Sequence, residues 1–326
     1  MSKGKVTVLG VNGHIGRAAA AAFVQAGWEV TGMARTDKHL PGVLFIKGNS
    51  DSVADMRAAI GDADVVVNTL NLPYHTWFNG RMEAQMGRVI EALGTSGKTL
   101  LFPGNIYNFA ATDREVTPAT LQHPEKSRGE VRMRVEEMFR AASARGDIQV
   151  IILRAGDFYG PGAQMDWFDQ VVLKDAAKGK VQVMGIKGVG HSWAYLPDLG
   201  RAFESLGSLR QHLGAFERFH FAGNFVTPEE MGAAIANAAP IPVKVSRFPL
   251  ILIKLVGLFD PLMREVGKMA YLWRNPMELK DNRLDGLLGP GFATPFETAI
   301  AATVRPFFAK ASGETSPAST SAIAGA

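Results

Sequence analysis

Cysteine is absent from the 326 residues, which excludes disulfides, thiol nucleophiles and thiolate metal sites. The seven histidines are scattered and include no HxxxH or HxH pair, so they offer no frame for zinc. An excess of one charge is also missing. The 35 basic and 31 acidic residues leave a net +4, spread along the chain. Nucleic-acid binding needs clustered Lys and Arg, so no nucleic-acid partner is expected. Long hydrophobic runs are missing too. The longest, "FPLILIKLVGLF" (248–259), is broken by Pro249 and Lys254 and is too short to span a bilayer. It reads as a buried helix or a hydrophobic lid in preference to a membrane-surface helix, so no stable membrane insertion is expected. "MSKGKVTVLG" enters a strand pattern at once and leaves no room for a signal peptide, which makes the cytoplasm the default location.

What remains is an ordinary soluble composition, 47% apolar and 20% charged, on a chain long enough for a sizeable core. Strand and helix patterns alternate through residue 156. Apolar strands at 5–10, 28–34, 43–48, 64–70, 99–104 and 148–156 are separated by helical stretches such as 15–27, 52–61 and 126–145. Continuous apolar strands between helices predict a parallel sheet covered on both faces. Right-handed crossovers then give α/β architecture, a Rossmann-type doubly wound sheet. Beyond 156, Gly, Pro and aromatics become frequent, as in "GDFYGPGAQMDWF" and "LLGPGFATPF". The expected organisation is a nucleotide-binding domain at 1–156, to which 191–224 returns. A smaller mixed C-terminal substrate part is formed by 157–190 and 225–310. The Ser/Thr-rich tail 311–326 is expected to be disordered.

"GVNGHIG" places Gly10, Gly13 and Gly16 between the first strand and the first helix. Glycines there permit a tight turn and close approach of a pyrophosphate, and a helix N-terminus supplies free N–H groups and a favourable dipole. Asn12, His14 and Ile15 belong to the same turn. The second strand ends "TGMARTD", where an NAD site would carry Asp or Glu. Ala34 stands there and Arg35 follows, which suits a 2′-phosphate and favours NADP over NAD. Asn49 follows the third strand, beside the expected adenine edge or in a helix-capping turn.

These features resemble the extended short-chain dehydrogenase/reductase superfamily, specifically its NAD-dependent epimerase/dehydratase type. The resemblance is carried by "LGVNGHIGR", "DADVVVNTLN", "ILRAGDFYGPG" and "HSWAYLPDLGRAF". It implies an NAD(P) site on the N-terminal domain, with Thr69, Leu70 and Asn71 beside it, and a cleft that often takes a nucleotide-sugar. It also implies a Tyr general acid/base, a Lys four residues later and a Ser or Thr hydroxyl. The hydroxyl position falls on Pro103. The Tyr-x-x-x-Lys pair falls on Arg128 and Arg132, both implied to contact cofactor or substrate. No Tyr occurs between 108 and 158, and the only Lys there is Lys126.

At about 100° per residue, Arg128 projects into the apolar stripe of its helix and Arg132 onto the edge of that stripe. Glu130 and Arg134 form an i,i+4 surface pair. A core-side Arg128 needs a partner. A ligand, an internal carboxylate such as Asp157, and snorkelling to solvent all remain open. Tyr107, after the fifth strand, is the candidate proton donor. His75, Asn105, Asp157, Tyr159, His191 and Trp193 are candidate substrate contacts, and Gln164, Trp167 and Phe168 candidate cleft walls. Two functions follow: an NAD(P)-dependent oxidoreductase or epimerase with a non-standard proton relay, acting on a small carbonyl, sugar or nucleotide-sugar, or a catalytically silent NADP(H)-binding sensor or assembly protein. A homodimer is an open option.

Overall fold

The computed structural model describes residues 2–161 and 167–309. Seven strands form one parallel sheet: β1 (Lys5–Leu9), β2 (Glu29–Ala34), β3 (Val43–Lys47), β4 (Val65–Asn68), β5 (Thr99–Asn105), β6 (Gln149–Ala155) and β7 (Phe216–His220). Their spatial order is β3-β2-β1-β4-β5-β6-β7. Valine-rich β1 and β4 are buried along nearly their whole length, as a sheet covered on both faces requires. The order reverses between β1 and β4. That reversal opens a crevice at the carboxyl ends of the strands.

Helices α1 (His14–Gln25) and α5 (Leu196–Leu209) cover one face. Helices α2 (Val53–Ile60), α3 (Arg81–Leu93) and α4 (Ser127–Ala144) cover the other. α2 is capped by Ser52, whose hydroxyl accepts from the Asp55 backbone N–H. The edge strand β7 comes from the stretch expected to return to the sheet.

A second, mixed sheet joins Asp157–Tyr159, His191–Tyr195 and Asn224–Val226. It has its own core with α6 (Pro228–Ala238), α7 (Ile251–Val256), α8 (Pro261–Met269) and α10 (Phe296–Ala309). Helix α9 (Asn282–Leu288) departs from the expected division. Its Leu284 packs into the main core, so part of 225–310 folds back onto the nucleotide-binding half. The apolar run 248–259 is neither a buried helix nor a membrane span. α7 buries Ile253 but leaves Ile251, Leu255, Leu258 and Phe259 exposed around it. No helix of the described residues is long and apolar enough to cross a membrane. The tail 311–326 and Gln164 lie outside the described residues.

Candidate active site

The glycine turn stands at the crevice. Gly10 has φ +82, a conformation that disfavours a side chain. At Gly16 a Cβ would sit 2.5 Å from the Gly10 carbonyl oxygen, so packing alone demands a glycine there. Gly13 is different. Its Cβ would meet nothing nearer than the Gly10 carbonyl oxygen at 3.4 Å, and its φ is an ordinary −73. No contact among the described residues requires glycine 13. It caps α1 without a side-chain hydrogen bond, which leaves the helix N-terminus open to an anion. Asn12 donates to the Thr36 carbonyl at 2.7 Å and ties the turn to the end of β2, while its buried Oδ1 has no partner among the described residues. His14 begins α1 and borders the groove between α1 and α5. Arg35 is exposed just beyond β2.

A cavity of about 170 Å³ lies beside this turn. It collects Ile15, Thr69, Leu70, Asn71, Pro103, Asn105, Tyr107, Arg132 and Asp157, nine residues singled out from sequence. Thr69 Oγ1 donates to the Leu9 carbonyl at 2.8 Å and thereby joins β4 to the glycine turn. Asn105 Oδ1 accepts from the Tyr107 N–H at 3.1 Å and shapes the short turn that presents the tyrosine.

α4 carries three buried residues spaced by four, Arg128, Arg132 and Glu136, of which Arg132 lines the cavity. Glu136 accepts from Arg154 (2.8 and 3.0 Å), Asn108 (3.0 Å) and Gln122 (2.8 Å). Burial alone would raise its pKa, but the Arg154 charge, these hydrogen bonds and Arg132 outweigh burial and hold it low. Arg132 donates to the Pro103 carbonyl at 2.5 Å. Burial lowers its guanidinium pKa to about 10, against the pull of Glu136, so it is still a cation at neutral pH. Arg154 also donates to the Asn105 carbonyl and, through Nε, to His220 Nε2 at 3.3 Å.

Two residues not singled out complete the site. The short 3₁₀ turn Tyr74–Thr76, followed by Trp77, puts Tyr74 and Trp77 on one side, because residues three apart eclipse in that geometry. Both line the cavity. The exposed neighbour His75, the residue expected to contact ligand, does not. Tyr74 lies edge-on to Tyr107, ring centroids 6.4 Å apart. Burial and the Asp157 charge raise the Tyr107 pKa; the Tyr74 hydroxyl, Arg128 and Arg132 pull it back. The net shift is upward, so Tyr107 carries its proton at neutral pH.

A scan against family models supplies the classification. The model described as NAD dependent epimerase/dehydratase family matches residues 6–206. The chain belongs to this family. No curated protein matches the sequence. Its fold is similar to that of MoeE5 in complex with UDP-glucose and NAD (18% identity, 95% of this chain and 100% of that chain, TM-score 0.73). It is also similar to the Bordetella bronchiseptica enzyme WbmH in complex with NAD+ (18%, 94% and 98%, TM-score 0.69). A third is UDP-glucose 4-epimerase from Bifidobacterium longum in complex with NAD+ and UDP (14%, 95% and 99%, TM-score 0.71). At these identities the likeness is one of fold.

Within this epimerase/dehydratase fold several expected contacts take other places. Arg128 does not pair with Asp157. It is 1% exposed, stacks 3.5 Å from the Tyr74 ring centroid, donates to the Tyr74 carbonyl at 2.6 Å and pairs with Glu265 at 3.1 Å. Asp157 accepts instead from Trp273 (3.1 Å) and pairs with His191 (2.9 Å). Burial would raise its pKa, but these partners hold it low as a carboxylate. His191 therefore stands behind the cavity wall. Tyr159 is fully buried and donates to Asn224 at 2.6 Å, while Trp193 packs edge-on to Phe168. Tyr159 is taken up by the core of the second sheet, against Phe168 and Tyr195, and so stands outside the cavity. Phe168 is core; Trp167 lines a separate pocket. Asn49 forms a capping turn, its backbone N–H donating to Asp55 and its Oδ1 accepting from the Asp51 N–H. Arg134 pairs across helices with Glu83, not with Glu130, because α3 packs alongside α4.

Two predictions follow from this packing. In α4, a Cβ on Gly129 would lie 2.0 Å from the Tyr107 carbonyl oxygen. An ordinary helix gains about 1 kcal/mol from Gly→Ala. Gly129→Ala should instead lose about 1–3 kcal/mol in urea unfolding, and a stabilised variant would refute the close packing of α4 against Tyr107. His220 is held neutral by burial, its pKa down to about 3. The unfolded chain takes up that proton below its ordinary value of about 6.5, so stability falls as pH drops from there. Between about pH 6.5 and about pH 5, His220→Asn should show a shallower loss of unfolding free energy than the parent.

Proposed function

We propose that this chain is an NADP(H)-preferring oxidoreductase or epimerase of its family, acting on a carbonyl or hydroxyl group with a tyrosine from the β5 turn in place of the usual relay. The observation that carries this reading is the single cavity in which the glycine-turn neighbours Thr69 and Leu70 meet Tyr107 and Arg132. The nicotinamide dinucleotide, when bound, supplies or accepts the hydride.

The residues fit that cofactor. The uncapped N-terminus of α1 and the open side of Gly13 would take the pyrophosphate. Arg35, exposed beyond a β2 end that bears no carboxylate, would pair with a 2′-phosphate. Arg132 supplies the fixed positive charge that the family obtains from lysine. Arginine does not release a proton near neutral pH, so neither Arg132 nor Arg128 replaces the family tyrosine. Tyr107 has the proton, the position and two cations nearby to stabilise its phenolate once the proton has left. Its hydroxyl donates to the substrate oxygen as a carbonyl is reduced and recovers the proton in the reverse direction. Tyr74 is its partner in the relay. Asp157, Asn105 and Asn71 line the side where a polar substrate group would lie.

Titration calorimetry with NADPH and NADH tests the first half of the reading. Arg35→Ala should weaken NADPH about tenfold or more and leave NADH nearly unchanged; equal losses would remove the 2′-phosphate assignment. Tyr107→Phe should bind NADPH like the parent yet lower turnover of a carbonyl substrate by about a hundredfold or more. If NADPH binds and no carbonyl, alcohol or nucleotide-sugar is turned over by the parent, the silent-sensor reading replaces the enzyme.

A further inference from the structure

A second cavity, of about 490 Å³, lies on the other side of Tyr74, between α7, α8 and the Trp167 segment. Its volume falls within the range of small-molecule sites, about 300–1,000 Å³, whereas the reaction cavity at about 170 Å³ holds only reacting ends. Tyr74 lines both cavities, so they adjoin. The walls of the second are apolar: Phe248, Leu252, Val256, Leu262 and Met263 are among them, and no described residue lining it is charged. The nearest cation on the Tyr74 side, Arg128, is already held by Glu265. A nucleoside diphosphate needs cations for its phosphates, and no described residue of this wall supplies one.

The wall is also accessible. Leu252 is 43% exposed, Val256 48% and Leu262 37%, an arrangement that costs free energy unless something apolar covers it. The Glu265–Arg128 ion pair fixes α8, and with it this wall, to the helix whose Arg132 lines the reaction cavity.

We propose that the second cavity binds the apolar chain of the substrate, and that the substrate class is a hydrophobic alcohol or carbonyl compound of extended alkyl or terpenoid character, with its oxygen reaching Tyr107 past Tyr74. The assignment rests on the oxidoreductase reading above and narrows its substrate. Nothing in the cofactor site enters it, so the two fail separately.

The test uses the full chain, with and without saturating NADP+, and the fluorescent probe 1-anilinonaphthalene-8-sulfonate. Primary alcohols from butanol to decanol are titrated as competitors. Displacement should tighten by about fourfold per added methylene until the cavity is filled. Val256→Arg, a half-exposed position that the fold does not need, should weaken decanol by about tenfold or more and leave butanol and NADPH affinity unchanged. Competition by UDP-glucose as effective as that by decanol would overturn the proposal. So would displacement that ignores chain length, or decanol affinity unaltered in Val256→Arg. A dimer in sedimentation that excludes the probe and is broken by Val256→Arg would overturn it by assigning the face to a second copy. Phosphatidylcholine vesicle binding lost in Val256→Arg while alcohol displacement persists would assign it to a lipid surface instead. If the alcohols behave as expected while NADPH fails to bind, the apolar site stands and the oxidoreductase reading falls.

Discussion

The buried ion pair between Glu136 and Arg154 governs the geometry of the cleft. Each partner is nearly inaccessible, and burying either alone would cost several kcal/mol. The cost is met because both Glu136 oxygens are hydrogen-bonded and Arg154 also serves the Asn105 carbonyl and His220. Such a network tolerates only one rotation of α4 about its axis above β5 and β6. With Glu136 turned inward, the residues one and two turns earlier must face inward too, which brings Arg132 to Pro103 and Arg128 to Tyr74. The same arginine shapes the end of β5 and hence the turn that carries Tyr107. The charge balance of the site is thus set by a pair that does not line the cavity.

That balance has a chemical consequence. Arg128 and Arg132 flank Tyr107 from α4, while Asp157 opposes them from the second sheet. The two cations favour loss of the tyrosine proton; burial and the carboxylate retain it. On balance burial and the carboxylate outweigh the cations, so the hydroxyl keeps its proton at neutral pH. Arg128 acts through its field and through Tyr74, whose ring it stacks on, while its Nη1 and Nη2 are bonded to the Tyr74 carbonyl and Glu265. The apolar cavity behind Tyr74 extends the same logic: with its nearest cation engaged by Glu265, that side of the cleft presents hydrocarbon.

Local pattern conveyed much of this. The alternation of apolar strands and helices marked six of the seven parallel strands, because a strand covered on both faces is apolar along much of its length; the seventh, at the sheet edge, comes from the stretch 191–224 expected to return. Eight of the nine cavity residues read from sequence were visible for a related reason: they lie at or just beyond the carboxyl ends of strands, where a doubly wound sheet opens, while Arg132 comes from α4. The arginines of α4 stood out from helical periodicity, and their four-residue spacing extends to Glu136, a signal that was available and passed over. Tyr74 escaped notice because "NLPYHTW" is too short for any period to show, and its 3₁₀ turn points the tyrosine inward and the histidine out. Glu265 lies 137 positions from its partner, and no local rule connects them. Tyr159, His191 and Trp193 lie in strands long enough to suggest a site edge, but the second sheet absorbs two of them into its core.

The sequence by itself determined the doubly wound sheet, the glycine turn at its crevice, the lack of a carboxylate at the end of the second strand before Arg35 and the four-residue spacing of Arg128 and Arg132 along one helix. These depend on residue type at short spacing, and short spacing is written in the chain. Only the tertiary structure decided which partner each buried charge received, that Tyr74 joins Tyr107, and that an apolar cavity adjoins the one they line. Pairings of that kind depend on how elements far apart in sequence pack, and the cost of leaving a buried charge unpaired selects among them after the fold has closed.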